Sequence, residues 1–374
     1  MSNLIKLSKF AFVGLFAVLL VACGGSDKQE EQVTEKTNSE TKVQSFEWKM
    51  VTSWPKNFPG IGTSAESLAK NITEMSGGRL TVKVYAAGEL VPPLEVFDAV
   101  SRGTAEMGHS ASYYWKGKVP AAQFFTTVPF GLTAQEFNAW VYHGGGLELW
   151  EELYAPFNVI PMPAGNPGAQ MGGWFNKEIN SLADFQGLKM RMPGLGGEVL
   201  KKIGATPINL PGGEIFTSLQ TGAIDATEWV GPYNDLAFGL YKAAKYYYYP
   251  GWHEPGSAVE AIFNKDAFEA LPADLQAIVR IATQQANLDM LSEFTARNNA
   301  ALQTLVNDHG VILKPFPEDL LEALKQASQE TLEEVAASDA DSQKVYDAFK
   351  AFRSSVSDWH DVSERAFING RAND

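Results

Sequence analysis

The segment TPINLPGGEIFTSLQTGAIDATEWVGP, residues 206–232, decides the fold class of this chain. TPINL (206–210) and AIDATEWV (223–230) have the composition of short strands. Between them, PGGEIFTSLQTG (211–222) begins with proline and ends with glycine, the usual asymmetry of a helix. A strand, a helix and a strand in succession predict parallel strands with helices packed on the faces of the sheet.

The same alternation occurs earlier in the chain. FEWKMVTSW (46–54), RLTVKVY (79–85) and AEMGHSA (105–111) predict strands with helices between them, and Thr63-x-x-Glu66 is a candidate capping box for the first helix. The helix between the second and third of these strands is predicted at 92–103. Outside these two segments, we predict strands at 157–164, 170–175, 187–193 and 257–264 and a helix at 196–205. The sequence therefore predicts an α/β protein with two such units.

The second half of the chain is mostly helical. From Pro272 to about His309, apolar residues recur at helical spacing without glycine or proline, and 317–370 is again mostly helical. A helix of this length is too long for one small domain, so it must cross between domains or reach a partner.

Composition and motifs exclude several classes of function. The net charge of −14 argues against a nucleic-acid partner, which requires clustered lysine and arginine. The chain has no G-x-x-x-x-G-K-[ST], H-E-x-x-H or C-x-x-C motif, and its five histidines show no metal-binding spacing. HGGG (143–146) matches a lipase motif, but G-x-S-x-G is missing, so these glycines are predicted to end a helix.

The first 45 residues predict export and anchoring. Lys6 and Lys9 precede an apolar run at 10–22, as in a signal peptide spanning 1–22. LVAC (20–23) resembles the lipobox of bacterial lipoproteins and contains the chain's one cysteine, Cys23. The polar residues that follow predict a disordered tether, so 23–45 would hold a periplasmic body on a membrane. The alternative is a plain signal peptide with a chance cysteine.

Four polar residues stand in unusual places. Arg191 lies within the apolar run LKMRMP, and Gln170 begins the predicted strand QMGGWF. Glu228 and Glu254 close aromatic strands. Each could be a satisfied core residue, and Arg191 could form an internal salt bridge. Together they indicate oxygen ligands for a hard cation beside an anion-binding arginine. Aromatic residues suited to line a small-ligand site are Tyr113, Tyr114, Trp115, Trp229 and Trp252.

Two longer motifs resemble a known family. GGWFNKEINSLADFQGLKMRMPG (172–194) and PGGEIFTSLQTGAIDATEWVGP (211–232) resemble the solute-binding proteins of tripartite ATP-independent periplasmic (TRAP) transporters, the DctP-like family. The resemblance covers roughly 46–370. YYYYPGWHEPG (246–256) is similar to the branch that binds 2-oxo and 2-hydroxy monocarboxylates with a metal ion.

This resemblance implies a set of site residues. Arg191 would bind the substrate carboxylate. The implied metal ligands are Gln170, Glu228, the Trp229 carbonyl and Glu254, with Na⁺ favoured over Ca²⁺. Gln170, Trp229 and Tyr113 would also contact the substrate.

The resemblance also implies an architecture and partners. We expect an α/β two-domain periplasmic-binding-protein clamshell with a long domain-spanning helix and a helical C-terminal tail. The expected parts are domain I at 46–165 plus about 256–285, domain II at 166–255 plus about 310–335, and a C-terminal helix at 336–374. The partners would be a small carboxylate, the TRAP membrane subunits and a second copy of the chain bound through that helix.

Two other functions remain open at this point. One is a binding protein for a dicarboxylate or sugar acid, which would need a second cationic clamp. The other is a periplasmic hydrolase or lyase that uses Glu228 and Glu254 as paired acid and base. A nucleophile for such an enzyme is not identifiable in the sequence.

Overall fold

The computed structural model describes residues 44–371. The predicted signal peptide 1–22, Cys23 and the predicted tether up to residue 43 lie outside the described residues. Within 44–371, no helix is both long enough and apolar enough to cross a membrane.

The strands follow the predicted positions closely but are shorter. In chain order they are β1 (Phe46–Thr52), β2 (Leu80–Tyr85), β3 (Met107–Ser110), β4 (Val159–Gly165), β5 (Gly173–Phe175), β6 (Lys189–Arg191), β7 (Thr206–Ile208), β8 (Ala226–Thr227), β9 (Tyr246–Tyr249), β10 (Val259–Asn264) and β11 (Ile312–Pro315). β11 has no counterpart among the predicted strands.

The helices account for most of the remaining residues between 44 and 371. They are α1 (Ile61–Met75), α2 (Val96–Ser101), α3 (Ala134–His143), α4 (Gly146–Tyr154), α5 (Gly194–Lys202), α6 (Gly212–Thr221), α7 (Pro232–Phe238), α8 (Lys265–Glu269), α9 (Ala273–Asn307), α10 (Glu318–Ala336), α11 (Ala340–Val362) and α12 (Glu364–Arg371). α3 ends where HGGG begins, as predicted. The predicted capping box is wrong, because α1 begins at Ile61 and Thr63 already lies inside it.

Two mixed sheets form the framework of the described residues 44–371. The first has the strand order β2-β1-β3-β10-β4, and the second has the order β11-β9-β5-β8-β6-β7. β1 is parallel to β2 and β3, and β6 is parallel to β7 and β8, as predicted. β10 and β5 each run antiparallel to both neighbours, so the prediction of parallel pairing is wrong for these strands. β10 is the strand by which the chain returns to the first sheet from the second.

The long helix α9 connects the two halves of the protein. Its 35 residues extend over about 50 Å at 1.5 Å per residue. Near its N-terminal end Thr283 contacts Met162 of β4 in the first sheet. Farther along, the ring of Phe294 lies 5.5 Å from that of Tyr233 in α7, which follows β8 of the second sheet. The prediction of a helix that spans both units is therefore confirmed.

The C-terminal tail is helical, as predicted, but it is interrupted and part of it packs on the core. A break after Ala336 separates α10 from α11, and the Asp339 carboxylate accepts a hydrogen bond from Ser342 N at 2.8 Å to begin the new helix. Phe349 in α11 then packs edge-on against Trp140 at 5.4 Å between ring centroids. The prediction of a single helix over 336–374 is wrong, because α11 ends at Val362 and a separate helix, α12, begins at Glu364.

Candidate functional site

The four polar residues singled out in the sequence meet at one edge of the second sheet. β6 and β8 are parallel neighbours, and β5 runs antiparallel to β8 and β9. The amino-terminal end of β5 therefore lies at the same edge as the carboxyl ends of β6, β8 and β9. At these four ends stand Gln170 before β5, Arg191 at the end of β6, Glu228 just after β8 and Glu254 beyond β9.

Arg191 is fully buried and its guanidinium is extensively bonded. Its Nε donates to Leu210 O at 3.2 Å, and its Nη1 donates both to Glu228 O at 3.3 Å and to the Glu228 side chain. Its Nη2 donates to the Tyr114 hydroxyl at 3.4 Å. Burial opposes the positive charge, but Glu228 and the neighbouring tyrosines raise the pKa of Arg191 above its ordinary value. The internal salt bridge considered for Arg191 is therefore present.

Glu228 occupies its position because β8 is short. The sequence predicted a strand over 223–230, but the ladder with β6 ends at Thr227. The Thr227 hydroxyl then donates to Glu228 O at 2.9 Å, and Glu228 N donates to Arg191 O at 3.2 Å. These bonds turn the Glu228 carboxylate toward Arg191 in the interior.

Gln170 and Glu254 are tied together by their backbones and by Ser257. Gln170 N donates to Glu254 O at 3.0 Å, and Gly251 N donates to Gln170 O at 3.1 Å. A Cβ at Gly251 would collide with that carbonyl, so only glycine fits this approach. The Gln170 amide donates to Ser257 Oγ at 3.2 Å, and the Ser257 hydroxyl donates to the Glu254 carboxylate.

The electrostatics of this cluster favour a cation. Burial, with the nearby Glu228 charge as a second cause, raises the pKa of Glu254 to about 7. Among the described residues, Gln170 Oε1 and Glu228 Oε2 are buried oxygens without a hydrogen-bond partner. Buried oxygens of this kind are costly unless a donor or a cation satisfies them. The residues present therefore fit a hard cation held by carboxylate and amide oxygens.

His253 was missed by the sequence analysis. Ligand atoms of Glu228, His253 and Glu254 lie within 4.8 Å of one another, and His253 Nε2 is 3.6 Å from Glu228 Oε2. Neither ring nitrogen of His253 has a hydrogen-bond partner in the part of the chain that the structure describes. Its only sequence signal is its position beside Glu254, because no other histidine lies at a metal-binding spacing from it.

An aromatic side chain that follows β1 of the first sheet packs against the site. Trp229 packs edge-on against Trp54, with ring centroids 6.4 Å apart, and the Arg191 guanidinium lies 5.3 Å from the Trp229 ring. Trp54 Nε1 donates to His109 Nδ1 at 2.8 Å. Burial lowers the pKa of His109 to about 4, so this nitrogen remains an acceptor at neutral pH.

Tyr113 and Tyr114 form the remaining wall. Their rings pack edge-on at 4.7 Å, and both border a surface cavity of about 700 Å³ that is also lined by Lys116 and Met192. Of the aromatic residues expected at the site, Trp115 lies elsewhere, stacked on Phe97 at 5.1 Å. Trp252 stacks on Phe130 at 6.0 Å and packs edge-on against the site residue His253 at 5.4 Å.

Comparison with known proteins places the chain in a family. The family model described as bacterial extracellular solute-binding protein, family 7, matches residues 50–339. The chain belongs to this family. Membership in family 7 confirms the resemblance carried by 172–194 and 211–232, and it makes the protein a TRAP-type periplasmic receptor by class.

Individual family 7 relatives are more informative still. A monocarboxylate 2-oxoacid-binding periplasmic protein of Nostoc sp. is 48% identical over 90% of this chain and 92% of its own length. A TRAP periplasmic solute-binding protein from Pseudoalteromonas atlantica, solved with bound sodium and pyruvate, is 44% identical and covers 87% of this chain and 99% of that chain, with a TM-score of 0.85.

A third comparison involves another ion and another acid. A TRAP transporter solute-binding protein from Bordetella bronchiseptica is 40% identical, covers 87% of this chain and 97% of that chain, and has a TM-score of 0.85. It was solved as a mixed-occupancy dimer in which calcium and picolinate occupy one site and the other is apo. These matches confirm the predicted clamshell fold class.

Proposed function

We propose that this family 7 protein captures a small 2-oxo or 2-hydroxy monocarboxylate together with a cation outside the inner membrane and delivers it to TRAP membrane subunits. One observation carries the proposal. Glu228 bonds to the buried Arg191, and its Oε2 and Gln170 Oε1 are buried oxygens without a hydrogen-bond partner among the described residues. An anion site in direct contact with a cation site suits a ligand that binds as an ion pair.

Each residue has a role in this proposal. Arg191 would bind the ligand carboxylate through two parallel hydrogen bonds, which a planar guanidinium can form. Gln170 Oε1, the carboxylates of Glu228 and Glu254, and the Trp229 carbonyl would hold the cation. The positive charge of the cation would neutralise these carboxylates and favour an anionic ligand beside them. Tyr113 and Trp229 would pack against the ligand and limit its size.

The ion and the ligand class draw support from the relatives. Pyruvate with sodium in one solved relative, and picolinate with calcium in another, are both carboxylates accompanied by a hard cation. We propose pyruvate-like or lactate-like acids as ligands and Na⁺ ahead of Ca²⁺ as the ion. A dicarboxylate would need a second cationic clamp, and Arg191 is the one arginine among the described residues of this cluster. We also propose that the protein performs no chemistry on the acid.

The cellular context is part of the same proposal. Residues 1–22 would be removed as a signal peptide, and Cys23 would carry lipid that holds the periplasmic body on a membrane through the tether to residue 45. Domain I would comprise 46–165 and about 256–285, and domain II would comprise 166–255 and about 310–335. The positions of the two sheets in the chain support this division.

A homodimer through the C-terminal end also belongs to this proposal. α11 packs on the body through Tyr346 and Phe349, but its last turns and α12 expose large apolar side chains. Trp359, Val362, Phe367 and Ile368 are each more than half exposed. Burial of these side chains against a second copy would remove apolar area from water.

The test is calorimetric titration of the purified protein with pyruvate, lactate and a longer 2-oxo acid. Each titration is repeated in sodium, in calcium and in metal-stripped buffer. We expect the tightest binding in the presence of a cation, without turnover of the acid. Glu260→Gln is a matched control, because Glu260 is also fully buried but lies on β10 beside Tyr154. The proposal fails if no acid binds under any ionic condition.

A further inference from the structure

The hydrogen bonds of Arg191 leave no open pair of donors for a ligand. A carboxylate that binds a guanidinium in parallel needs two adjacent N–H groups, either on Nη1 and Nη2 or on Nε and Nη2. Nε is engaged by the Leu210 carbonyl at 3.2 Å, which closes the second pair. Nη1 donates twice to Glu228, once to its carbonyl at 3.3 Å and once to its side chain, which closes the first pair.

These two obstructions differ in how they could be removed. Leu210 O is a main-chain atom whose position follows from β7 and the start of α6. The Glu228 carboxylate is at the end of a side chain with rotatable bonds, and only one of its oxygens contacts Arg191. Nη2 donates to the Tyr114 hydroxyl at 3.4 Å, but it carries a second N–H group. A ligand carboxylate therefore reaches one N–H of Nη1 and one of Nη2 if the Glu228 side chain moves away.

The same side chain belongs to the proposed cation site. Glu228 Oε2 faces the cluster with His253 and Glu254 and has no hydrogen-bond partner among residues 44–371. Movement of the carboxylate toward that cluster would bring it closer to Glu254. Repulsion between the two negative charges opposes this movement. A cation between Glu228 and Glu254 reverses the sign of that interaction.

We infer that Glu228 is an exchange carboxylate. In the ligand-free protein it neutralises Arg191 and blocks the anion clamp, and when a cation is available it leaves Arg191 to ligate that cation. The ligand carboxylate then takes the vacated Nη1 position. This inference rests on the proposed function and adds an order to it, in which the cation binds first. Cation and acid binding are then positively coupled, and the coupling is reciprocal.

The decisive variant is Glu228→Gln, because the exchange model predicts opposite effects in two buffers. The variant should lose its response to sodium and calcium. In metal-stripped buffer, however, it should bind pyruvate at least tenfold more tightly than wild type does, because a neutral amide competes weakly for Arg191. A residue that only held the cation would give no gain in metal-stripped buffer.

Glu260→Gln is the matched control. It replaces another fully buried carboxyl group, which is bonded to Tyr154 rather than to Arg191. It should keep the response to cations, and its affinity for pyruvate in metal-stripped buffer should stay within about threefold of wild type. Equal tightening in both variants would mean that general electrostatics, and not release of Arg191, causes the gain, and this would overturn the inference.

The outcomes separate the inference from the function on which it rests. If wild type binds pyruvate only with a cation and Glu228→Gln shows no gain without one, the exchange is wrong and the proposed function stands. If wild type binds none of the tested acids with any cation, both are overturned.

A second measurement is made on the wild-type chain, and a variant serves only to assign its signals. Arginine labelled with ¹⁵N reports on the Arg191 guanidinium by NMR, with Arg191→Lys used for assignment. Addition of sodium or calcium without acid should shift the Arg191 Nη signals, because the Glu228 carboxylate then no longer accepts a hydrogen bond from Nη1. Saturation of the protein with cation without any change in these signals would overturn the exchange.

Discussion

Replacement of Arg191 by methionine tests how strongly the ion pair at the site stabilises the fold. Arg191 and Glu228 are each 1% exposed, so solvent does not screen their interaction appreciably. Arg191→Met retains most of the aliphatic volume, but it leaves the Glu228 carboxylate buried beside Glu254 without its cationic partner. The Nη1 bonds to Glu228 and the bond from Nε to Leu210 O are lost together.

The expected magnitude follows from burial. Removing one partner of a buried ion pair typically costs about 3–5 kcal/mol, since an uncompensated charge remains in the interior. In the Glu228→Gln background, the same Arg191→Met change no longer strands a charge. We therefore expect it to cost at least about 2 kcal/mol less there, which is within the range found for directly contacting residues.

The assay is urea unfolding in metal-stripped buffer, followed by tryptophan fluorescence, for wild type, both single variants and the double variant. Lys344→Met is the control, because the Lys344–Glu152 pair is exposed at 51% and 66% and should contribute less than about 1 kcal/mol. If the destabilisation of the double variant equals the sum of the two single-variant destabilisations to within about 0.5 kcal/mol, the two side chains are not coupled and the reasoning is refuted.

Three further predictions concern other parts of the chain. Cys23→Ser should release the protein from membranes in cell fractionation without changing acid affinity, and a variant that still pellets after a salt wash contradicts the lipid anchor. Burial raises the pKa of Asp235 to about 7, although Tyr247 and Trp174 donate to its carboxylate. Between about pH 4 and 7 the folded state therefore holds a proton that the unfolded chain releases, so this group lowers the free energy of unfolding as pH rises. Asp235→Asn should remove that contribution from the pH dependence of urea unfolding, and an unchanged slope would speak against it. His109→Leu should leave Trp54 Nε1 without its acceptor, which costs about 1–3 kcal/mol, and should weaken pyruvate binding in a calorimetric titration; unaltered affinity would show that Trp54 keeps its position without this bond.

Local sequence patterns determined the α/β class, the order of most elements and the long helix. A strand or helix shows its period within about ten residues, so 206–232 could be read without knowledge of the remaining chain. The unusual polar residues Gln170, Arg191, Glu228 and Glu254 were also recognisable locally, because each is an isolated polar side chain next to apolar or aromatic residues. The structure brings all four to one sheet edge.

Only the tertiary structure decided how these parts meet. The antiparallel direction of β5 and β10, and the early end of β8, depend on neighbouring strands that are distant in sequence. The bond between Arg191 and Glu228 joins residues 37 positions apart. The place of His253 beside Glu228 likewise depends on β9 and β8 ending at the same edge. Sequence patterns report which side chains are polar, whereas their partners are determined by the packing of strands and helices from separate parts of the chain, since hydrogen bonds and ion pairs require contact within a few ångströms.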